Sequence, residues 1–183
     1  MGWELDNHWD LNVDQCVMIA APHTSNWDAL YARLGLKALG VNVRLTIKDS
    51  YMKLPFGPFV RAMGGIGIDR RVKQAGQERP SMVQLMSDLF KTHPKLVMLV
   101  TPEGTRAKQE QWKTGFYHVA MTAGVPIALA YMDYAKKKTG VGKMIYPTGN
   151  YEQDMAEIMA FYAEINAKHP EKFSVDQRYA NNK

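Results

Sequence analysis

The sequence predicts an α/β protein, a single-domain layered sheet flanked by helices. Segments rich in β-branched and apolar residues alternate along the chain with segments of helical periodicity. The 183 residues suffice for one full core, and with 46% apolar and 22% charged residues their composition excludes disordered, collagenous and disulfide-scaffold classes. No internal repeat, low-complexity tract or Ser/Gly linker divides the chain, so residues 1–183 are expected to form one domain.

The elements follow in order. Trp3, Leu5, Trp9 and Leu11 make an amphipathic N-terminal segment, which can dock on the body of the protein or at a membrane interface. A first strand is expected over Cys16–Ala21, then a helix over Asn26–Leu39 stopped by Gly40, then a strand over Val43–Lys48. Tyr51–Met63 is apolar and aromatic, but Pro55, Gly57 and Pro58 interrupt it, which predicts a broken helix. It serves either as a core connector or as an apolar wall for a ligand or membrane. A short strand at Ile66–Asp69 precedes a helix over Ser81–Thr92, opened by Pro80. A buried strand at Leu96–Val100 leads to a helix over Thr114–Ala123 that Gly124 stops. Strands at Val125–Met132 and Lys143–Tyr146 and a helix at Met155–Lys168, ending before Pro170, complete the pattern. In such a fold the strand ends and the loops after them build the site.

Net charge is +5, and all five acidic residues of the first 32 precede the first basic one, Arg33, so residues 33–183 carry +10. That asymmetry favours anionic partners. The basic residues are not interleaved with aromatics in a nucleic-acid-binding pattern, and Lys136–Lys138 reads as a solvated loop. The N-terminus lacks the basic start and apolar stretch of a signal peptide, and runs such as Val125–Met132 fall far short of the roughly 20 residues of a membrane span. The lone Cys16 excludes an internal disulfide or a Cys-rich zinc site and reads as a buried, inert thiol in a reducing, cytoplasmic setting. His8, His93, His118 and His169 lack metal-ligand spacing and read as structural.

Three stretches can carry chemistry. In Ala21–Asp28, APHTSNWD, two helical residues five apart would point about 140° from each other, so His23 must lie in the loop before the helix. With Ser25 as N-cap, Asp28 falls in the first helical turn, where the macrodipole favours its charge and its carboxylate reaches back toward the loop. A His–Asp pair of this kind fixes the imidazole and lets it take a proton from a substrate hydroxyl. The same spacing, Ser25-x-x-Asp28, also resembles a capping box, which accounts for Asp28 without catalysis. In Leu96–Arg106, LVMLVTPEGTR, a strand enters a loop where Gly104 permits close approach, Thr105 and loop amides donate, and Arg106 offers a planar fork suited to phosphate. A tight turn with a solvated Arg is the alternative. In Gly64–Arg71, GGIGIDRR, a glycine-rich turn enters a strand ending near Arg70, itself either a ligand cation or a surface ion-pair partner.

Together, His-x4-Asp, GGIGIDR, PEGTR and the later WKTGFYHVAMTAGVPIA resemble the lysophosphatidate and glycerol-3-phosphate acyltransferase superfamily. The likeness runs over about residues 16–132, and KDSYMKLPFGPFVRAMGG resembles the family's linker between its first two motifs. The first motif falls on His23 and Asp28 and the second on Gly65, Ile68 and Arg70. The third falls on Pro102, Glu103, Gly104, Thr105 and Arg106, and the fourth on Val125, Pro126 and Ile127.

The resemblance implies a glycerolipid acyltransferase-like fold and transfer of a fatty acyl group from a thioester, acyl-CoA or acyl carrier protein, to a hydroxyl of a lysophospholipid such as 1-acylglycerol-3-phosphate. No metal or bound cofactor is implied. His23 would be the general base and Asp28 its orienter, with Arg70 and Arg106 on the acceptor phosphate. Glu103 would position its loop and the Arg side chains, and amides near Gly104 or Gly65 would be oxyanion donors. Only 22 residues precede His23, so the expected contact with an anionic membrane, at its cytoplasmic face, is peripheral. The fourth motif lacks a second proline, with Ala128 and Leu129 after Ile127. The alternatives are O-acylation of a non-phosphate lysolipid, such as an acylated amino-acid lipid, and a catalytically silent lipid-binding module.

Overall fold

The computed structural model describes residues 2–10, 12–53, 55, 57–62, 64–68 and 80–180. Its strands are β1 (Glu4–Asn7), β2 (Gln15–Ala20), β3 (Val43–Lys48), β4 (Gly65–Ile68), β5 (Leu96–Val100), β6 (Ile127–Asp133) and β7 (Lys138–Ile145). Its helices are α1 (Asn26–Ala38), α2 (Gly57–Ala62), α3 (Met82–Thr92), α4 (Gly115–Ala123) and α5 (Tyr151–Ala163). The strands form one sheet in the order β1-β7-β6-β2-β5-β3-β4. β2 through β6 all run one way, and β7 and β1 run the other.

Side-chain alternation along the central strands divides the core. Val17 and Ile19 of β2 and Met98 of β5 face a cluster with Phe90, Phe116, Val119, Ile158 and Tyr162 from α3, α4 and α5. Cys16, Met18 and Val97 face the other way, where Leu36 of α1 meets them with Ala128, Ala130 and Val141. β6 is buried along its whole length, as expected of a strand covered on both faces. The α3–α5 side ties itself to the sheet by a polar contact as well, since the buried Tyr162 hydroxyl stands 3.0 Å from the carbonyls of Ile19 and of Ala130.

The register explains how distant loops meet. Ile19 of β2 is opposite Val100 of β5, and Ala20 is opposite Ala130 of β6. The chain therefore leaves three adjacent parallel strands at one sheet end, bringing together residues that follow each strand by one to three positions.

The α/β fold matches the expectation, and so do the bounds of β3 and β5. The broken helix after β3 is a 3-10 turn at Asp49–Met52 followed by α2. Gly57 is required there because a Cβ would strike the Met52 carbonyl oxygen. Three elements differ. The N-terminal segment contributes an edge strand, β1, paired in parallel with β7, and Trp3 stacks on Tyr31 with ring centres 5.9 Å apart. β7 begins five residues before the expected Lys143, because Gly140 and Gly142 serve close packing rather than a loop: a Cβ on Gly140 would strike the Asp6 carbonyl oxygen, and one on Gly142 would lie 2.5 Å from the Phe161 ring. α5 starts at Tyr151, where the Asn150 side chain accepts the Gln153 N–H, and ends at Ala163. It stops early because Asn166 is drawn to β6, its amide donating to Asp133 and its carbonyl accepting the Tyr134 N–H.

Candidate active site

His23 stands where β2 leaves the sheet, after a cis Ala21–Pro22 peptide bond and just before the Ser25 N-cap of α1. Asp28, in the first turn of α1, is buried and gathers four donors. Its Oδ2 accepts the backbone N–H groups of Thr24 and Ser25, each at 2.7 Å. Its Oδ1 accepts the Ser25 hydroxyl at 2.9 Å and the Tyr134 hydroxyl at 2.7 Å. Burial, and then the adjoining Asp28 charge, hold the Tyr134 hydroxyl well above its usual range, so it stays a donor. His23 Nδ1 lies 3.9 Å from Asp28 Oδ2, close enough for charge interaction and too long for a hydrogen bond. Capping and facing the imidazole are thus two tasks of one carboxylate rather than alternatives.

Glu103 follows β5 as His23 follows β2. It is 2% exposed, and its Oε1 accepts the backbone N–H of His23 at 2.7 Å. Its Oε2 is buried with no hydrogen-bond partner among the described residues. Burial, assisted by the charge of Asp28, pushes its carboxyl up to about 7, although the His23 N–H works in the opposite direction. Among the described residues its contact is with the histidine loop, through the His23 N–H, and Arg70, one of the two Arg side chains that the sequence suggested for it, lies outside them.

The imidazole of His23 is held below its ordinary range, first by burial and then by the Arg106 guanidinium, against a smaller opposing pull from Asp28. At neutral pH it is therefore the neutral, proton-accepting form. Arg106 itself is exposed and reaches the same cavity as His23 and Asp28. This cavity, about 470 Å³, lies between α1 and the sheet. Arg33, Thr46, Thr101 and Thr139 also line it, and most of the remaining wall is apolar, including Ala32 and Leu36 of α1, Leu45 of β3 and Leu99 of β5. Its size is within the ~300–1,000 Å³ of ordinary ligand pockets.

Of the rest of the third motif, Pro102 is buried and Gly104 and Thr105 are exposed. Gly104 takes a left-handed φ of +70°, and its N–H donates to the Thr101 carbonyl at 3.0 Å, which removes it as an oxyanion donor. Gly65 is also removed, because it pairs with Leu45 on the far side of β5, level with Met18 and well short of His23. Thr105 accepts the Ala107 N–H within its own turn. Arg70 lies outside the described residues. Two participants were missed from sequence. Tyr134 reaches Asp28 from the end of β6, and Lys113 folds its side chain over Gly104, where a Cβ would come within 2.5 Å of Nζ. The Lys113 backbone N–H is tied to the Pro102 carbonyl at 2.9 Å, so this cation belongs to the PEGTR loop. Among the described residues no three His, Cys, Asp or Glu side chains converge in a way that could hold a metal ion.

Residues 5–133 match the family model described as Acyltransferase. No curated protein sequence matches the chain. The fold is similar to that in the crystal structure of the 1-acyl-sn-glycerophosphate (LPA) acyltransferase, PlsC, from Thermotoga maritima, with a TM-score of 0.52 and 17% identity, over 86% of this chain and 67% of that one. The family match takes in most of the chain and, with it, the His23, Asp28 and PEGTR loops whose geometry is described above. The chain belongs to the acyltransferase family and is an acyltransferase.

Proposed function

We propose that the protein moves a fatty acyl group from an acyl thioester, acyl-CoA or acyl carrier protein, to a hydroxyl of a lysophospholipid, with 1-acylglycerol-3-phosphate as the acceptor. The observation that carries this reading is a neutral His23 beside an apolar cavity that Arg106 also enters. His23 removes the acceptor hydroxyl proton as the oxygen attacks the thioester carbonyl. The tetrahedral intermediate collapses, the C–S bond breaks, and the thiolate takes that proton back from the imidazolium. Asp28 stabilises the imidazolium across 3.9 Å, and Glu103 fixes the loop through the His23 N–H. The acyl chain lies along the apolar wall. Arg106, with Lys113 and Arg70, holds the acceptor phosphate.

The acyl group passes directly between substrates. Cys16 is buried, with burial pushing its thiol up to about 12, and the Ser25 hydroxyl is committed to Asp28. The reaction uses no bound cofactor or metal, and the chain works as one acyltransferase domain. No helix among the described residues is long and apolar enough to cross a membrane, and we place the enzyme peripherally on the cytoplasmic face of one.

The test is an acyl-transfer assay that crosses acyl-CoA and acyl carrier protein donors with phosphorylated and unphosphorylated lysolipids, alongside His23→Ala. Transfer that requires both His23 and the acceptor phosphate supports the reading. Equal rates without the phosphate move the acceptor to an acylated amino-acid lipid. No transfer from any donor leaves a silent lipid-binding module.

A further inference from the structure

Helix α1 has two apolar faces, and the sheet accounts for one. Its inner residues Asp28, Ala32 and Leu36 line the substrate cavity. Trp27, Leu30 and Leu34, spaced to fall on a single stripe, are exposed at 52%, 47% and 55%. On α2, Phe59 is 66% exposed. The two helices border a second cavity of about 670 Å³, at the sheet end opposite His23, lined by Lys37, Arg44, Arg61 and Lys95 among others. Among the described residues the one carboxylate in that lining, Asp14, is paired with Lys95 at 3.1 Å. Apolar knobs therefore stand beside a cleft of positive charge, on a chain whose residues 33–183 carry +10.

At the other end of the stripe, Trp27 stacks on Tyr31 and lies 5.6 Å beneath the Lys168 ammonium. Exposed aromatic and aliphatic side chains mixed with cations suit a surface that accepts apolar groups below a layer of negative charge. An acidic protein would complement the charge, but the stripe runs about 10 Å along α1 with a further knob on a separate helix, and a bilayer receives such scattered groups without needing a matching groove.

We propose that the α1–α2 face docks on an anionic phospholipid bilayer, with Trp27, Leu30, Leu34 and Phe59 entering the interfacial layer and the basic cleft holding phosphate headgroups. The inference rests on the lysophospholipid reading of the site. Because α1 is only about 10–12 Å thick and its inner face lines the cavity, docking brings the reacting groups within one helix diameter of the lipid.

The test is co-sedimentation of the full chain with phosphatidylglycerol/phosphatidylcholine vesicles and with phosphatidylcholine alone. The wild type is expected to bind the anionic vesicles at least tenfold more tightly, with the preference falling as salt rises. The double variant Leu34→Ser/Phe59→Ser should lose tenfold or more of this binding, and Lys37→Glu/Arg61→Glu should lose the preference for anionic lipid. Met121→Ser, an exposed site on α4 across the sheet, should change neither. Unchanged binding in both double variants, or dimerisation or acyl carrier protein capture through this face in place of vesicle binding, overturns the proposal. Turnover of a short-chain, water-soluble acceptor separates the two readings: it should survive in both double variants, and its absence in the wild type refutes the acceptor without touching the vesicle result.

Discussion

The carboxylate of Glu103 holds the backbone N–H of His23 at 2.7 Å while its other oxygen is buried without a partner among the described residues. Such a group is an anchor whose charge is costly. A carboxyl that titrates near 4.5 when exposed and about 7 in the fold binds its proton more tightly when folded. The sign follows from linkage. Stability from this group is fully present below pH 4.5 and is lost as pH rises through 7.

Glu103→Gln is therefore expected to flatten the pH dependence of unfolding. Between pH 4.5 and 8 the wild type should lose on the order of 2–3 kcal/mol more than the variant. Urea denaturation across that range checks it, and parallel curves for the two proteins count against it.

His23 titrates below its ordinary value because of burial and Arg106, so the acid limb of kcat/KM should lie below pH 6.5 with a plateau at neutral pH. His23→Ala should lower turnover by roughly 10²–10⁴-fold without unfolding the protein. A limb above pH 6.5 in steady-state kinetics contradicts the assignment.

Asp28→Asn keeps the shape but puts an amide where four donors converge, so a buried donor loses its acceptor at a cost of about 1–3 kcal/mol. Turnover should fall as well, because the charge facing the imidazolium is gone. Tyr134→Phe removes one of the four donors and should cost about 1 kcal/mol with a smaller loss of rate. Thermal unfolding and kcat together separate the two tasks of the carboxylate: loss of stability with full turnover would leave Asp28 as a cap alone.

Arg106→Lys should raise the KM for a phosphorylated acceptor by about tenfold or more and leave the donor KM nearly unchanged, since an ammonium lacks the bidentate fork. Lys113→Ala should add to it in the same constant. Equal effects on the two substrates, measured by steady-state kinetics, argue against a phosphate clamp.

What could be read from the sequence was what is encoded locally. The cap Ser25, the first-turn Asp28 and the loop position of His23 are all settled within six residues, and the bounds of β3 and β5 follow from short apolar runs. Tyr134 joins Asp28 across 106 residues, through the register of β6 on β2, and no spacing rule reaches that far. Lys113 sits in what reads as the approach to α4, and only the folded loop lays its chain over Gly104. β1 was hidden by its charge: Asp6, unusual in a strand, is occupied by the Tyr131 hydroxyl at 2.6 Å. The outward stripe of α1 was not read as a surface, because its exposure depends on which face the sheet takes.

The two faces of the sheet differ in how much they bury. The α3–α5 side carries the larger apolar cluster, anchored by Tyr162 on two strand carbonyls, whereas the α1 side encloses the cavity. Apolar contacts set the free energy of local opening, so amide hydrogen exchange should be fastest along α1 and β3 and slowest along β6, α4 and α5. On the proposed function, the half of the molecule that admits the acyl chain is then the half that opens at the least cost, and it can do so while the opposite layer stays closed.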